Sequence, residues 1–166
     1  SWHGRTRHSD ASRSGYANGS EADIDCPQGS PEGVSVANQI TSRNRGHRVK
    51  DVIDELNLYV RGWLNYYKLS STYSEVKDLA EWVRRRVRLY YWKQWKQPRT
   101  RRRNLLALGI SPQQVHRATR SRKGYWRMSQ NELVRIALNN RRLEEHGVPD
   151  MRAIWIVLYY GPKARV

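Results

Sequence analysis

Between Glu81 and Glu132 the chain carries fifteen lysines and arginines and no acid. A core cannot be assembled from that stretch unless its leucines, valines and aromatics gather on one side and its cations are left on another. Over all 166 residues, 31 lysines and arginines face 15 acids, a formal charge of +16. Residues 1–33 hold three arginines against five acids, so the other 133 residues carry +18. Charge of that size and concentration points to a polyanion as partner rather than to a solvated or membrane-facing surface.

The apolar residues fall into helical repeats. Val49, Val52, Ile53, Leu56, Val60, Trp63, Leu64 and Tyr67 recur three or four apart and predict a helix over about 49–69. Gly62 is a cost inside it, explained by close approach of another helix or of an RNA backbone, with close packing the simpler account. Thr72 and Glu75 have capping-box spacing before a helix running to about Trp95, with Val76, Leu79, Ala80, Val83, Val87, Tyr90 and Tyr91 as its core face. Its other side is basic through Arg84, Arg85, Arg86 and Arg88. Gly109 is a stop after Leu105, Leu106 and Leu108, and Ser111, Pro112 and Gln114 form a start signal. Ser129 and Glu132 have the spacing of another capping box, and a last turn is expected over Arg141–His146 before Gly147 and Pro149. Residues 154–160 fit a strand or a buried helix equally well.

The expected fold is therefore all-α, a small helical bundle of about five helices with a poorly structured N-terminal extension. Residues 1–39 read as a flexible or degenerate tail, because glycine, serine, asparagine and proline interrupt any apolar repeat. Residues 40–149 read as the helical domain and 150–166 as a C-terminal packing segment.

Catalysis finds little support. His3, His8, His47, His116 and His146 have no nearby cysteine or carboxylate pattern that makes a metal site. Asp23 and Asp25 lie in a glycine- and serine-rich setting, and Asp51, Asp54 and Glu55 are explained by a helix N-terminus. A single cysteine, Cys26, excludes an intrachain disulfide and a multi-cysteine cluster. The longest apolar run, Ala153–Tyr160, is eight residues, short of the roughly 18 that span a bilayer, and no secretory signal is seen. No membrane partner is expected, and the setting is intracellular, cytoplasmic if bacterial.

Seven tryptophans and ten tyrosines, with no phenylalanine, interleave with the cations. Exposed rings beside arginine stack on splayed RNA bases, whereas rings at helical spacing more often pack in a core. Charge does not separate DNA from RNA, and a helix-turn-helix over Leu105–Arg120 stays open.

The stretches ITSRNRG at 40–46, ELNLYVRGWLNYYKL at 55–69 and LAEWVRRRVRLYYWKQWKQPRTRRRNLLALGIS at 79–111 resemble, in order, the maturase-specific region of group II intron-encoded reverse transcriptases. GYWRMS at 124–129 and ELVRIALNN at 132–140 fit the same pattern. The resemblance implies a domain X, or thumb-like, helical module that binds structured intron RNA and supports its folding and splicing. The RNA performs the transesterifications with magnesium ions of its own, and the protein binds no cofactor.

Carried onto this chain, the resemblance implies RNA contacts at Arg61, Arg84, Arg85, Arg86, Arg88, Lys93, Lys96, Arg99, Arg101, Arg102, Arg103 and Arg127. Trp63, Tyr66, Tyr67, Trp82, Trp92, Trp95 and Trp126 are stacking or core residues. The polymerase Tyr-x-Asp-Asp motif and the zinc-bearing endonuclease of full family proteins are absent from this sequence. The chain alone is therefore expected to have no catalytic residues, polymerase activity or DNA cleavage. Alternatives are an accessory fragment binding insertion-site DNA, an enzyme subunit completed by a separate reverse transcriptase chain, and a nonfunctional basic remnant.

Overall fold

A computed structural model describes residues 31–161 other than 43, 68, 70 and 71. Among these residues the chain is all helix, with no strand. Nine helices follow one another: α1 (Pro31–Ile40), α2 (Val49–Tyr67), α3 (Tyr73–Gln94), α4 (Pro98–Ala107), α5 (Pro112–Thr119), α6 (Tyr125–Ser129), α7 (Glu132–Ala137), α8 (Asn140–Glu145) and α9 (Met151–Tyr160). The count exceeds the expected five mainly through α1, in the segment read as tail, the five-residue α6, and α9, which the sequence left open between strand and helix.

The predicted apolar stripe of α2 is buried from Val49 to Leu64. The Thr72–Glu75 capping box at the start of α3 is formed in both directions, Thr72 Oγ1 accepting from the Glu75 amide and Glu75 accepting from the Thr72 amide. Helix α3 is the axis of the fold and packs against α1, α2, α6 and α9. Between Trp82 and Trp92 only Arg85 and Tyr91 are even half exposed, so the helix is enclosed on all sides. The two-faced helix expected there, apolar on one side and polyanion-facing on the other, is corrected by this enclosure.

Residues 31–39, assigned on composition to the N-terminal extension, form nearly all of α1. Val34, Ala37 and Ile40, three apart, bury one face of that helix against α2 and α3. Residues 1–30, with His3, His8, Asp23, Asp25 and Cys26, lie outside the described residues. At the other end, 151–160 is a helix packed on α2 and α3. Asp150 caps it by accepting from the Arg152 amide at 3.1 Å.

Three predicted local signals resolve differently. Ser129 does not cap: it is buried as the last residue of α6, its hydroxyl donating to Trp126 O at 2.6 Å, and Asn131 caps α7 instead. Ser111 makes no cap hydrogen bond to the backbone and donates to Gln114 Oε1 at 3.0 Å. Gly62 is not closely packed, since a Cβ built there meets no atom within 4 Å. Gly109, at φ +85°, and Gly147, at φ +94°, do end their helices in the left-handed conformation that glycine adopts without strain.

The two helical glycines have opposite requirements. A Cβ on Gly33 would lie 2.8 Å from Trp63 Nε1 and 3.0 Å from Cε2 of the same indole. Gly33→Ala is expected to destabilise the protein by about 1–3 kcal/mol through overpacking. Gly62→Ala, in open space on a helix, is expected to stabilise it by up to about 1 kcal/mol. Urea titrations of the two variants check the opposed signs.

Candidate nucleic-acid interface

The arginines of α3 are interior struts. Arg84 is buried and pairs with Asp150 at 3.2 Å, joining α3 to the start of α9. Arg86 is buried and donates from Nε to Thr41 Oγ1 at 3.0 Å and from Nη2 to the carbonyls of Asn38 and Thr41 at 3.3 and 3.4 Å. It thereby satisfies acceptors at the C-terminal end of α1. Arg88 donates from Nε to Leu138 O at 2.8 Å and from Nη2 to Asn140 Oδ1 at 2.9 Å. Burial, reinforced by the charges of Arg135 and Arg84, lowers its pKa to about 10, so it remains a cation at neutral pH.

Arg85, half exposed, lies over Trp126 at 3.5 Å from the ring centroid, a cation–π contact that fastens α6 to α3. Arg84, Arg86 and Arg88, expected to face RNA phosphates, are therefore held within the fold rather than displayed on its outer surface. A buried guanidinium needs acceptors, and each of these three has at least one within the protein.

The remaining expected contacts divide between half-buried and exposed positions. Arg101 donates from Nε to Trp95 O at 2.8 Å and lies over Trp92 at 4.6 Å, which makes it largely a clamp between α3 and α4. Lys93, half buried, reaches Asn44 Oδ1 at 3.4 Å. Arg61 is exposed on α2 beside the open Gly62. Lys96, Arg99, Arg102, Arg103 and Arg127 are exposed.

Arg117 and Arg120 on α5, with Arg122 and Lys123 on the connection to α6, are exposed as well. All four belong to the acid-free run, but they lie outside the stretches that carry the strongest resemblance, so the residue choice passed over them. Helices α4 and α5 pack on each other, and nine exposed cations, from Lys96 before α4 to Arg127 on α6, fall within this segment. With no acid between Glu81 and Glu132, nothing within this segment neutralises them. Such a surface attracts a phosphate backbone and releases its counterions on contact.

The aromatic residues are mostly core. Trp63, Trp82, Trp92 and Trp126 are buried, and Trp95 is half buried with its ring 6.2 Å from that of Trp92. Tyr67 is half buried against Trp63, whereas Tyr66 is 79% exposed and free to meet a ligand. Tyr90 donates to His47 O at 2.8 Å, and burial raises its pKa. Burial also raises that of Tyr91, whose hydroxyl is hydrogen-bonded to His146 Nδ1 at 2.6 Å.

Among the described residues no helix is long and apolar enough to cross a membrane. No group of three or more histidines, cysteines or acids able to hold a metal ion occurs among them. Residues 36–109, from the second half of α1 through α4, match the family model described as "Group II intron, maturase-specific domain". No curated protein matches the chain.

Proposed function

We propose, from the match of residues 36–109 to the group II intron maturase-specific domain model, that the chain binds structured group II intron RNA and assists its folding without catalytic chemistry of its own. The observation that supports this most is the segregation of charge. Arg84, Arg86 and Arg88 of α3 are tied up inside, whereas nine exposed cations lie between Lys96 and Arg127 in a stretch of sequence without an acid. Phosphates are met there by guanidinium groups, whose planar donor fork suits paired oxygens.

Binding assists folding only if it is differential. A protein that touches native intron RNA over more phosphates than misfolded RNA shifts the population toward the native form. Moving that balance from 1:99 to 99:1 takes about 10⁴-fold preferential binding. The transesterifications, and the magnesium ions they need, belong to the RNA on this reading. Arg61, beside the open surface at Gly62, is a second place where a backbone can approach.

The test is direct. The chain is added to the group II intron RNA and to a scrambled RNA of equal length at physiological salt, and both affinity and splicing rate are measured. At least tenfold tighter binding of the intron, with faster splicing, is expected. Equal affinity for the two RNAs reduces the interaction to general electrostatic attraction and overturns the reading. Preference for insertion-site duplex DNA over intron RNA overturns it in favour of a DNA-binding accessory role.

A further inference from the structure

A cleft of about 590 Å³ opens beside α3 and is lined by Arg88, Glu132, Arg135, Ile136, Asn139 and Asn140. Its polar chemistry is one-sided. Arg88, only 9% exposed, donates from Nε and Nη2 to the protein and leaves Nη1 without a partner among the described residues. Asn140 Oδ1 accepts from Arg88, and Asn139 Oδ1 accepts from the Arg142 amide at 2.9 Å. Both asparagines have therefore engaged their acceptor and keep an NH₂ group to donate. Arg135 is exposed, and its side chain makes no hydrogen bond or ion pair among the described residues. Glu132, one turn before it on α7, supplies the single carboxylate.

The cleft thus offers two guanidinium groups and two amide donors against one carboxylate. Burial first, and then the charges of Arg135 and Arg84, lower the pKa of Arg88. An acceptor-rich anion satisfies such a lining, and a phosphate group has an oxygen for each donor. The cleft is open to solvent, and its volume is ample for a phosphate group carried on a larger molecule.

We propose that this cleft, distinct from the exposed cations of α4 and α5, seats the phosphate of one nucleotide between Arg88 and Arg135, with Asn139 and Asn140 donating to its oxygens. Where that nucleotide belongs to an RNA strand, the inference rests on the RNA reading above and gives one position of the strand a fixed seat. A free nucleotide presents the same chemistry.

The experiment follows the side-chain amides of Asn139 and Asn140 in ¹H–¹⁵N spectra of the full chain. Inorganic phosphate, adenosine monophosphate and a short single-stranded RNA are titrated separately. Saturable shifts are expected, and Arg135→Gln, an exposed substitution, weakens the response about tenfold without moving the melting temperature. The doubly substituted Arg102→Gln, Arg103→Gln protein keeps the response to adenosine monophosphate while binding RNA more weakly.

Saturation by RNA alone supports the proposal with the strand as source, and saturation by adenosine monophosphate alone supports it with the free nucleotide as source. Shifts that never saturate, or that are unchanged in Arg135→Gln, overturn it. If RNA binds nowhere on the chain, the RNA reading fails and the adenosine monophosphate titration still judges the cleft.

Discussion

Arg88→Glu is expected to lower the free energy of unfolding by about 3–5 kcal/mol, the range for breaking a buried charged network by altering one partner. The substitution sets a carboxylate against Leu138 O and Asn140 Oδ1, two acceptors that the guanidinium now satisfies at 2.8 and 2.9 Å. Domains of this size are stable by about 5–15 kcal/mol, so much of the molecule's margin is removed. Arg88→Met separates charge from shape. It leaves the same two acceptors without donors but adds no opposing charge, and a smaller loss of about 1–3 kcal/mol is expected. Arg102→Glu on the exposed face of α4 should change stability by no more than about 0.5 kcal/mol. Urea unfolding curves of the three variants check the order. Comparable stability for Arg88→Glu and Arg102→Glu would contradict the interior role assigned to Arg88. It also follows that reversing Arg84 or Arg86 probes folding rather than RNA contact, and that reversing Arg88 disturbs folding whatever its cleft binds.

The distinction between these arginines was not legible in the sequence. Arg84, Arg85, Arg86 and Arg88 form a basic cluster whose usual setting is water, and helical spacing alone gives α3 one buried face. Its enclosure comes from α1, α6 and α9, and two of those three could not be read in advance. Helix α1 lies in a segment of serine, asparagine and glycine, with only Val34, Ala37 and Ile40 to mark its buried face. Helix α6 has five residues, too few for a periodicity. The third, α9, has apolar residues throughout, which suit a strand as well as a helix.

What was legible rests on strong local physics. The α2 stripe and the Thr72–Glu75 box each need only nearest neighbours along the chain, and both form as expected. Gly109 and Gly147 also mark real helix ends, because a left-handed residue at a helix terminus favours glycine whatever surrounds it. Ser129 misled because capping spacing recurs by chance, and a buried serine in a helix can return its hydroxyl to its own backbone. The donor-rich cleft had no sequence signature. Its character depends on which acceptors of Asn139 and Asn140 the fold has already engaged.

Reversing Arg99, Arg102, Arg103 and Arg117 to glutamate together is expected to weaken binding of the intron RNA at least about a hundredfold at physiological salt. Each phosphate contact contributes about 0.7 to 0.9 to the slope of log affinity against log salt. If each residue meets one phosphate, loss of the four flattens that slope by about three. Because all four side chains are exposed, helicity and melting temperature should stay close to those of the parent, in contrast to Arg88→Glu. The salt slope is the sharper measure, because general misfolding lowers affinity without removing a defined number of counterions. An unchanged slope in a folded variant would show that the RNA engages a different surface and would leave the cations of α4 and α5 as ordinary solvated charge. A flattened slope with lost splicing would tie the counterion release to the surface that performs the work. The fold has a physical reason to build that surface there: α4 and α5 are short, bury few apolar residues and are left with one side in water, which is where arginines that have no acceptors inside the protein must go.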